Sequence, residues 1–176
     1  MKRTTHLMMG AAAGLLVAAP SPLPVEIGAV WLGVAGGGFP DWLDLRSELR
    51  GPLRLRHRGI SHSLLFALFA TALVGLPLRA VADAVDLPGG MALSPETALV
   101  WTLAFAAGLL THLAGDACTH AGIRPLLPVS RWKMWLLPKL LRSRSDGYLN
   151  AVAMLVSVGA IGLSLLWRIG NQIGAL

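Results

Sequence analysis

Cysteine occurs once, at Cys118, so the chain can form no internal disulfide and no zinc site built on several thiolates. Charge is also scarce. Charged residues make up 14% of the chain and hydrophobic residues 55%, against about a quarter charged in ordinary soluble domains. That balance excludes a soluble globular fold. No nucleophilic serine or cysteine motif stands out, although Ser61 and Ser63 flank a histidine. The net charge of +6 would raise nucleic acid as a partner if the basic residues formed a patch, but they do not. They lie between apolar runs.

Three of those runs, about 60–81, 95–119 and 149–167, match the roughly 20 helical residues that cross a bilayer core. Two more, about 5–19 and 25–38, are shorter. At about 1.5 Å per residue they reach only part of the way across a core of about 30 Å. They predict short tilted spans or a re-entrant hairpin joined by Pro20-Ser21-Pro22-Leu23-Pro24. The predicted fold is therefore all-α: a polytopic membrane helix bundle with three clear spans and two shorter N-terminal apolar helices. Residues 1–176 form a single integral membrane domain in this reading. The start imitates a secretory signal, with Lys2-Arg3, an apolar core and Val17-Ala18-Ala19, but Pro20 opposes cleavage and predicts a retained membrane segment.

Lys and Arg set the orientation. Two stand at the N-terminus (Lys2, Arg3). Five follow the second run (Arg46, Arg50, Arg54, Arg56, Arg58). Six lie between the fourth and fifth runs (Arg124, Arg131, Lys133, Lys139, Arg142, Arg144), so thirteen of the fifteen occupy alternate loops. The positive-inside rule puts those loops in the cytoplasm. Asp83, Asp86 and Glu96 then fall outside, and nucleic acid is excluded as the partner that the charge serves. Membrane lipids take its place. Arg131 to Arg142, with Trp132 and Trp135, reads as an interfacial segment that anchors the chain or guides a lipid headgroup.

Four of the five histidines and three of the nine acids collect at the same predicted face: His6, His57, His62, His112, Asp41, Asp44 and Asp116. No histidine falls on the other. His112 and Asp116 are one helical turn apart and share a helix face, so they can hold one metal ion or form a hydrogen-bonded pair. His120 could extend that stripe, but Gly122 and Pro125 end the helix there. In His57-Arg58-Gly59-Ile60-Ser61-His62-Ser63, Gly59 permits a turn and Ser61 is placed as the helix N-cap. A helix start with Arg58 suits a phosphate. Asp41 and Asp44 follow Gly36-Gly37-Gly38, which allows close backbone approach, and serve either as helix caps or as hard oxygen ligands. A mixed His/Asp set suits zinc, with manganese or iron as alternatives, better than calcium.

These residues resemble the YdjM-like, LexA-regulated inner-membrane proteins, a family regarded as metal-dependent hydrolases. The resemblance rests on Thr5-His6, Pro40-Asp41 with Asp44, His57-Arg58-Gly59, Ser61-His62-Ser63, His112, Asp116, Thr119, Gly122 and Leu126-Leu127-Pro128, covering about residues 5–128. It implies that His6, Asp41, His57, His62, His112 and Asp116 are the metal and catalytic set. Two positions depart from the family pattern. Leu45 stands where a histidine often follows the second acid, and Asp146 or Asn150 stands near a family glutamate.

The combined expectation is a hydrolase of an ester, a lipid phosphoester above all, at the cytoplasmic leaflet of the inner membrane. His6, Asp41, His62, His112 and Asp116 would hold a divalent metal that activates a water. His57 or Asp44 would move the proton, and Arg58 would neutralise charge on the phosphate. The alternative is a non-enzymatic, stress-related membrane protein with a structural or regulatory metal site.

Overall fold

A computed structural model describes residues 1–48, 59–84 and 93–173. Five α-helices carry the described fold: α1 (Arg3–Ala18), α2 (Leu23–Glu48), α3 (Leu64–Ala84), α4 (Pro95–Ala117) and α5 (Tyr148–Ile173). No strand occurs among the described residues. Two isolated bridges, Thr119 with Ser143 and Ile123 with Met134, tie down the connection between α4 and α5. The chain is all-helical, as its composition predicts.

Local sequence explains where the helices start. At α4, the Ser94 hydroxyl accepts the Thr97 N–H at 3.1 Å, Pro95 fills the first turn and Glu96 faces the helix N-terminal dipole. At α3 the capping serine is Ser63, whose Oγ accepts the Phe66 N–H at 3.1 Å. The expected cap, Ser61, lies instead in a 3-10 turn over Ile60–His62 and makes a different bond, described below. The second apolar run predicts an end near Gly38. The helix instead continues through Pro40 to Glu48 as one element of 26 residues, about 39 Å long at 1.5 Å per residue. Proline lacks an N–H but is tolerated within membrane helices where neighbouring groups satisfy the freed carbonyl.

α3, α4 and Tyr148–Asn171 of α5 are each long and apolar enough to cross a membrane. The side-chain contacts show the helices alternating in direction. The N-terminal ends of α1, α3 and α5 and the C-terminal ends of α2 and α4 meet at one face of the bundle. At the opposite face Trp101 donates to the Val25 carbonyl at 2.9 Å, and Arg168 of α5 pairs with buried Glu26 of α2 and donates to the Ser21 carbonyl at 3.1 Å.

The packing of α1, α2 and α4 rests on glycine. A methyl added at Gly10 or Gly108 would overlap the Gly33 carbonyl, and one at Gly37 would overlap the carbonyl of His6. Small residues let membrane helices bring their backbones together. This seam holds α1, α2 and α4 in contact just below the polar face. Ala67, Ala70, Phe105, Leu109 and Leu113 form an apolar layer between α3 and α4, and α5 packs chiefly on α1.

After α4 the chain stays at the polar face. Gly122 has φ 65°, and the Trp135 indole fills the space a side chain would need there. Arg142 and Lys133 lie over the Trp135 ring at 4.5 and 5.6 Å. Trp132, Leu136 and Leu140 are exposed beside them. This basic, aromatic surface fits an interface between bilayer and water.

Candidate metal centre

Three helix ends and the turn before α3 contribute to one buried cluster. α1 carries His6. α2 carries Asp41 and Asp44. The 3-10 turn carries Ser61 and His62, and α4 carries His112 and Asp116. His62 and His112 have 0% side-chain exposure, His6 1%, Asp116 2% and Asp44 4%, whereas Asp41 retains 14%. Ionisable groups buried to this extent among apolar helices cost several kcal/mol unless they neutralise one another or bind an ion.

The centre of the cluster is the pair His62 and His112, whose Nε2 atoms face each other at 3.1 Å. The Oδ1 atom of Asp41 lies 3.5 Å from His62 Nε2 and 3.8 Å from His112 Nε2. Asp116 Oδ2 lies 3.7 Å from His62 Nε2. His6 stacks on the His112 ring with centroids 3.8 Å apart, and its Nε2 is 3.4 Å from Asp116 Oδ1. Among the described residues, buried Nδ1 of His6 has no hydrogen-bond partner. The amino group of Met1 approaches Asp116 Oδ1 at 2.6 Å.

Neighbouring acceptors fix both central rings. His112 Nδ1 lies 2.7 Å from the Gly37 carbonyl, which can only accept, so Nδ1 carries the hydrogen. Ser61 donates its hydroxyl hydrogen to Asp44 Oδ1 at 2.6 Å and stands 3.0 Å from His62 Nδ1. Its oxygen is thereby left to accept from His62 Nδ1–H. In the neutral rings both Nε2 lone pairs then point at each other. A shared proton or a bound cation between them relieves the repulsion.

The donor set fits a divalent ion. His6, Asp41 and His112 form one group of potential ligands and His62, His112 and Asp116 another, the donor atoms within each lying within 4.8 Å of one another. Zinc–ligand distances of about 2.0–2.1 Å place tetrahedral donors about 3.3 Å apart. The observed separations of 3.1 to 3.8 Å bracket that value. These buried His/Asp groups could hold a metal ion.

Of the sequence-derived site residues, the structure brings together His6, Asp41, Asp44, His62, His112 and Asp116. Asp44 faces the Nδ1 side of His62, Oδ2 at 3.5 Å, and orients that ring. His57 and Arg58 lie outside the described residues. His120 is exposed and apart from the cluster. Cys118 is half-buried, and burial pushes its thiol pKa up, away from the reactive thiolate.

Three contributors escaped sequence reasoning. The Gly37 carbonyl has no side-chain signature. Ser61 reads as a cap, and only its distance to Asp44 reveals a relay. Asn150, near the family's glutamate position, accepts from the Thr5 hydroxyl at 2.7 Å and the Lys2 N–H at 2.9 Å, pinning the start of α1 to the first turn of α5.

A larger groove of about 550 Å³ lies between α3 and α4, bordered by Leu68, Leu76, Arg79 and Glu96. No cluster residue lines it, so chemistry rather than volume locates the site.

No curated protein and no solved structure compared with the chain gives a match. The sequence pattern of the YdjM inner membrane proteins matches residues 1–171, which include every residue of the cluster. With nearly the whole length matched, the chain belongs to the YdjM inner membrane protein family.

Proposed function

We propose that this protein is a metal-dependent hydrolase working at the cytoplasmic leaflet of the inner membrane on an ester, a lipid phosphoester above all. The observation that carries the metal is the facing Nε2 pair of His62 and His112, held at 3.1 Å by rings whose hydrogens are committed to Gly37 and Ser61. His62, His112, Asp41 and Asp116 would hold the ion, and His6 would complete or brace the set. Zinc suits these ligands best, with manganese and iron next. A divalent ion there supplies Lewis acidity, lowering the pKa of nearby water and drawing charge from an ester oxygen.

The chain's own residues do the rest. Gly37 and the Ser61–Asp44 relay hold the two imidazoles in one tautomer and orientation. Asp41, the most exposed acid of the cluster, stands where a substrate and a transferable proton would enter. His57 and Arg58, which precede Gly59 in sequence, keep the proposed proton-transfer and charge-neutralising roles. The cytoplasmic orientation is supported by the sequence positions of the basic residues, thirteen of fifteen falling in alternate segments between the apolar runs.

The depth of burial favours a second reading. Structural metal sites are closed, whereas catalytic ones keep a position open, and four of the five proposed ligands are at most 2% exposed. A structural or regulatory site would look like this too. Purification in mild detergent, metal analysis, and a screen of phospholipid and isoprenoid phosphates with and without chelator separates the two. Chelator-sensitive turnover supports the hydrolase. Bound metal without turnover supports the structural reading, and turnover that survives complete metal removal overturns the metal mechanism.

A further inference from the structure

Asp41 is the most exposed of the cluster's side chains, at 14%. The next residue, Trp42, lines a groove of about 380 Å³ between α1 and α2 together with Leu7, Val34, Ala35 and Phe39. Arg3 stands at the end of that groove nearest the cluster, one turn before His6. Gly38 leaves room for the Leu7 side chain in the groove's floor, since a methyl there would meet Leu7 Cδ2 at 2.7 Å. From Trp42 to Val34 the groove follows α2 for about eight residues, about 12 Å at helical rise, away from the charged face and along the apolar part of the bundle.

We propose that this groove takes the hydrocarbon chain of an anionic amphiphile, with Arg3 binding its charged headgroup at the edge of the cluster. The inference deepens the hydrolase reading and rests on it, because it names where the substrate's chain and headgroup would sit. Charge selects this groove. The larger groove between α3 and α4 has Glu96 in its lining, and its arginine, Arg79, is already paired with Asp83 at 2.9 Å. The groove beside Leu15 holds Glu26, paired with Arg168. Of these three grooves among the described residues, the one between α1 and α2 sets a cation between a channel for apolar chain and the accessible edge of the metal ligands. The volume is within the range of small-ligand sites, roughly 300–1,000 Å³.

Native mass spectrometry of the full-length, metal-loaded protein in neutral detergent tests this with hexadecyl phosphate as the probe. Butyl phosphate and inorganic phosphate serve as competitors. Wild type should carry the long-chain phosphate, and neither competitor should displace it at equal concentration. Arg3→Ala should weaken binding about tenfold or more, the loss of one charge-assisted contact, with Arg3→Lys recovering part of it. Ala35→Trp, which fills the groove from its exposed side, should weaken it similarly, and Ala35→Leu gives a milder filling. Metal content should not change in any of these variants.

Undiminished binding in both Arg3→Ala and Ala35→Trp overturns the proposal. So does equal displacement by butyl or inorganic phosphate, which would mean an anion site without a chain groove. Failure of the hydrolase reading looks different. If the wild type holds no metal yet binds hexadecyl phosphate through Arg3 and Ala35, the groove stands and the hydrolase falls. If Ala35→Trp keeps metal-dependent turnover of a long-chain substrate at the wild-type KM, the groove falls alone.

Discussion

Replacing Ser61 by alanine removes one hydroxyl that touches none of the proposed ligand atoms, yet it should weaken metal binding. The hydroxyl is the middle of a relay, with its hydrogen on Asp44 Oδ1 at 2.6 Å and its oxygen 3.0 Å from His62 Nδ1. Without it, the next acceptor near His62 Nδ1–H among the described residues is Asp44 Oδ2, at 3.5 Å, which is too long for a good bond. The ring can then rotate or change tautomer and withdraw its Nε2 lone pair. Loss of an orienting partner of a metal-bound histidine typically lowers affinity about 10–100-fold, or about 1.4–2.7 kcal/mol. Because Asp44 can partly replace the hydroxyl, Ser61→Ala should fall near the tenfold end. Asp44→Ala removes the anchor itself and should fall nearer a hundredfold. Competition against a chromophoric zinc chelator in detergent reads both, with thermal melting of the metal-free protein confirming that each variant folds. Wild-type affinity in Asp44→Ala would refute the relay, and so would a larger loss in Ser61→Ala than in Asp44→Ala.

Further outcomes follow from the same geometry. His112→Ala and Asp116→Ala should each abolish stoichiometric metal binding and any chelator-sensitive turnover at normal folded yield, checked by metal analysis and size-exclusion profiles. Gly37→Ala should destabilise the bundle by about 1–3 kcal/mol or more, since an extra methyl overlaps the His6 backbone, read by thermal unfolding in detergent. Glu26→Ala removes the carboxylate that pairs with Arg168 at the opposite face and leaves it the Ser21 carbonyl. It should lower stability by about 1–3 kcal/mol, less than a fully buried pair because Arg168 is 26% exposed, while zinc affinity stays unchanged. Reporter fusions should place the loop after α2 and the loop between α4 and α5 in the cytoplasm, and the loop between α3 and α4 outside.

What could be read from the sequence was whatever depends on period, charge or spacing within one segment. The apolar runs announced the three long helices, and the i, i+4 spacing of His112 and Asp116 put both into the cluster. Gly36-Gly37-Gly38 announced a close approach, and the seam with α1 and α4 realises it. The extent of α2 was not legible. Pro40, directly before Asp41, normally signals a break, and tertiary packing overrides it. The role of Ser61 was hidden for a related reason. Ser61 and Ser63 are equally good caps in isolation, and only the position of Asp44, 17 residues earlier, assigns one to the helix and the other to His62.

The pin between α1 and α5 sets an order of assembly. His6 leaves the ribosome early, but Asp116 on α4, which it contacts, and Asn150 on α5, which holds the start of α1, are made more than a hundred residues later. A nascent chain that stops before α4 carries His6, Asp41 and His62 but lacks His112, the imidazole that His62 faces, and the carboxylate of Asp116. The candidate ligand set is complete only once the fourth helix is in place, and the Asn150 bonds to the start of α1 wait for the fifth. A chain truncated before α4 would therefore lack two of the five candidate ligands, His112 and Asp116.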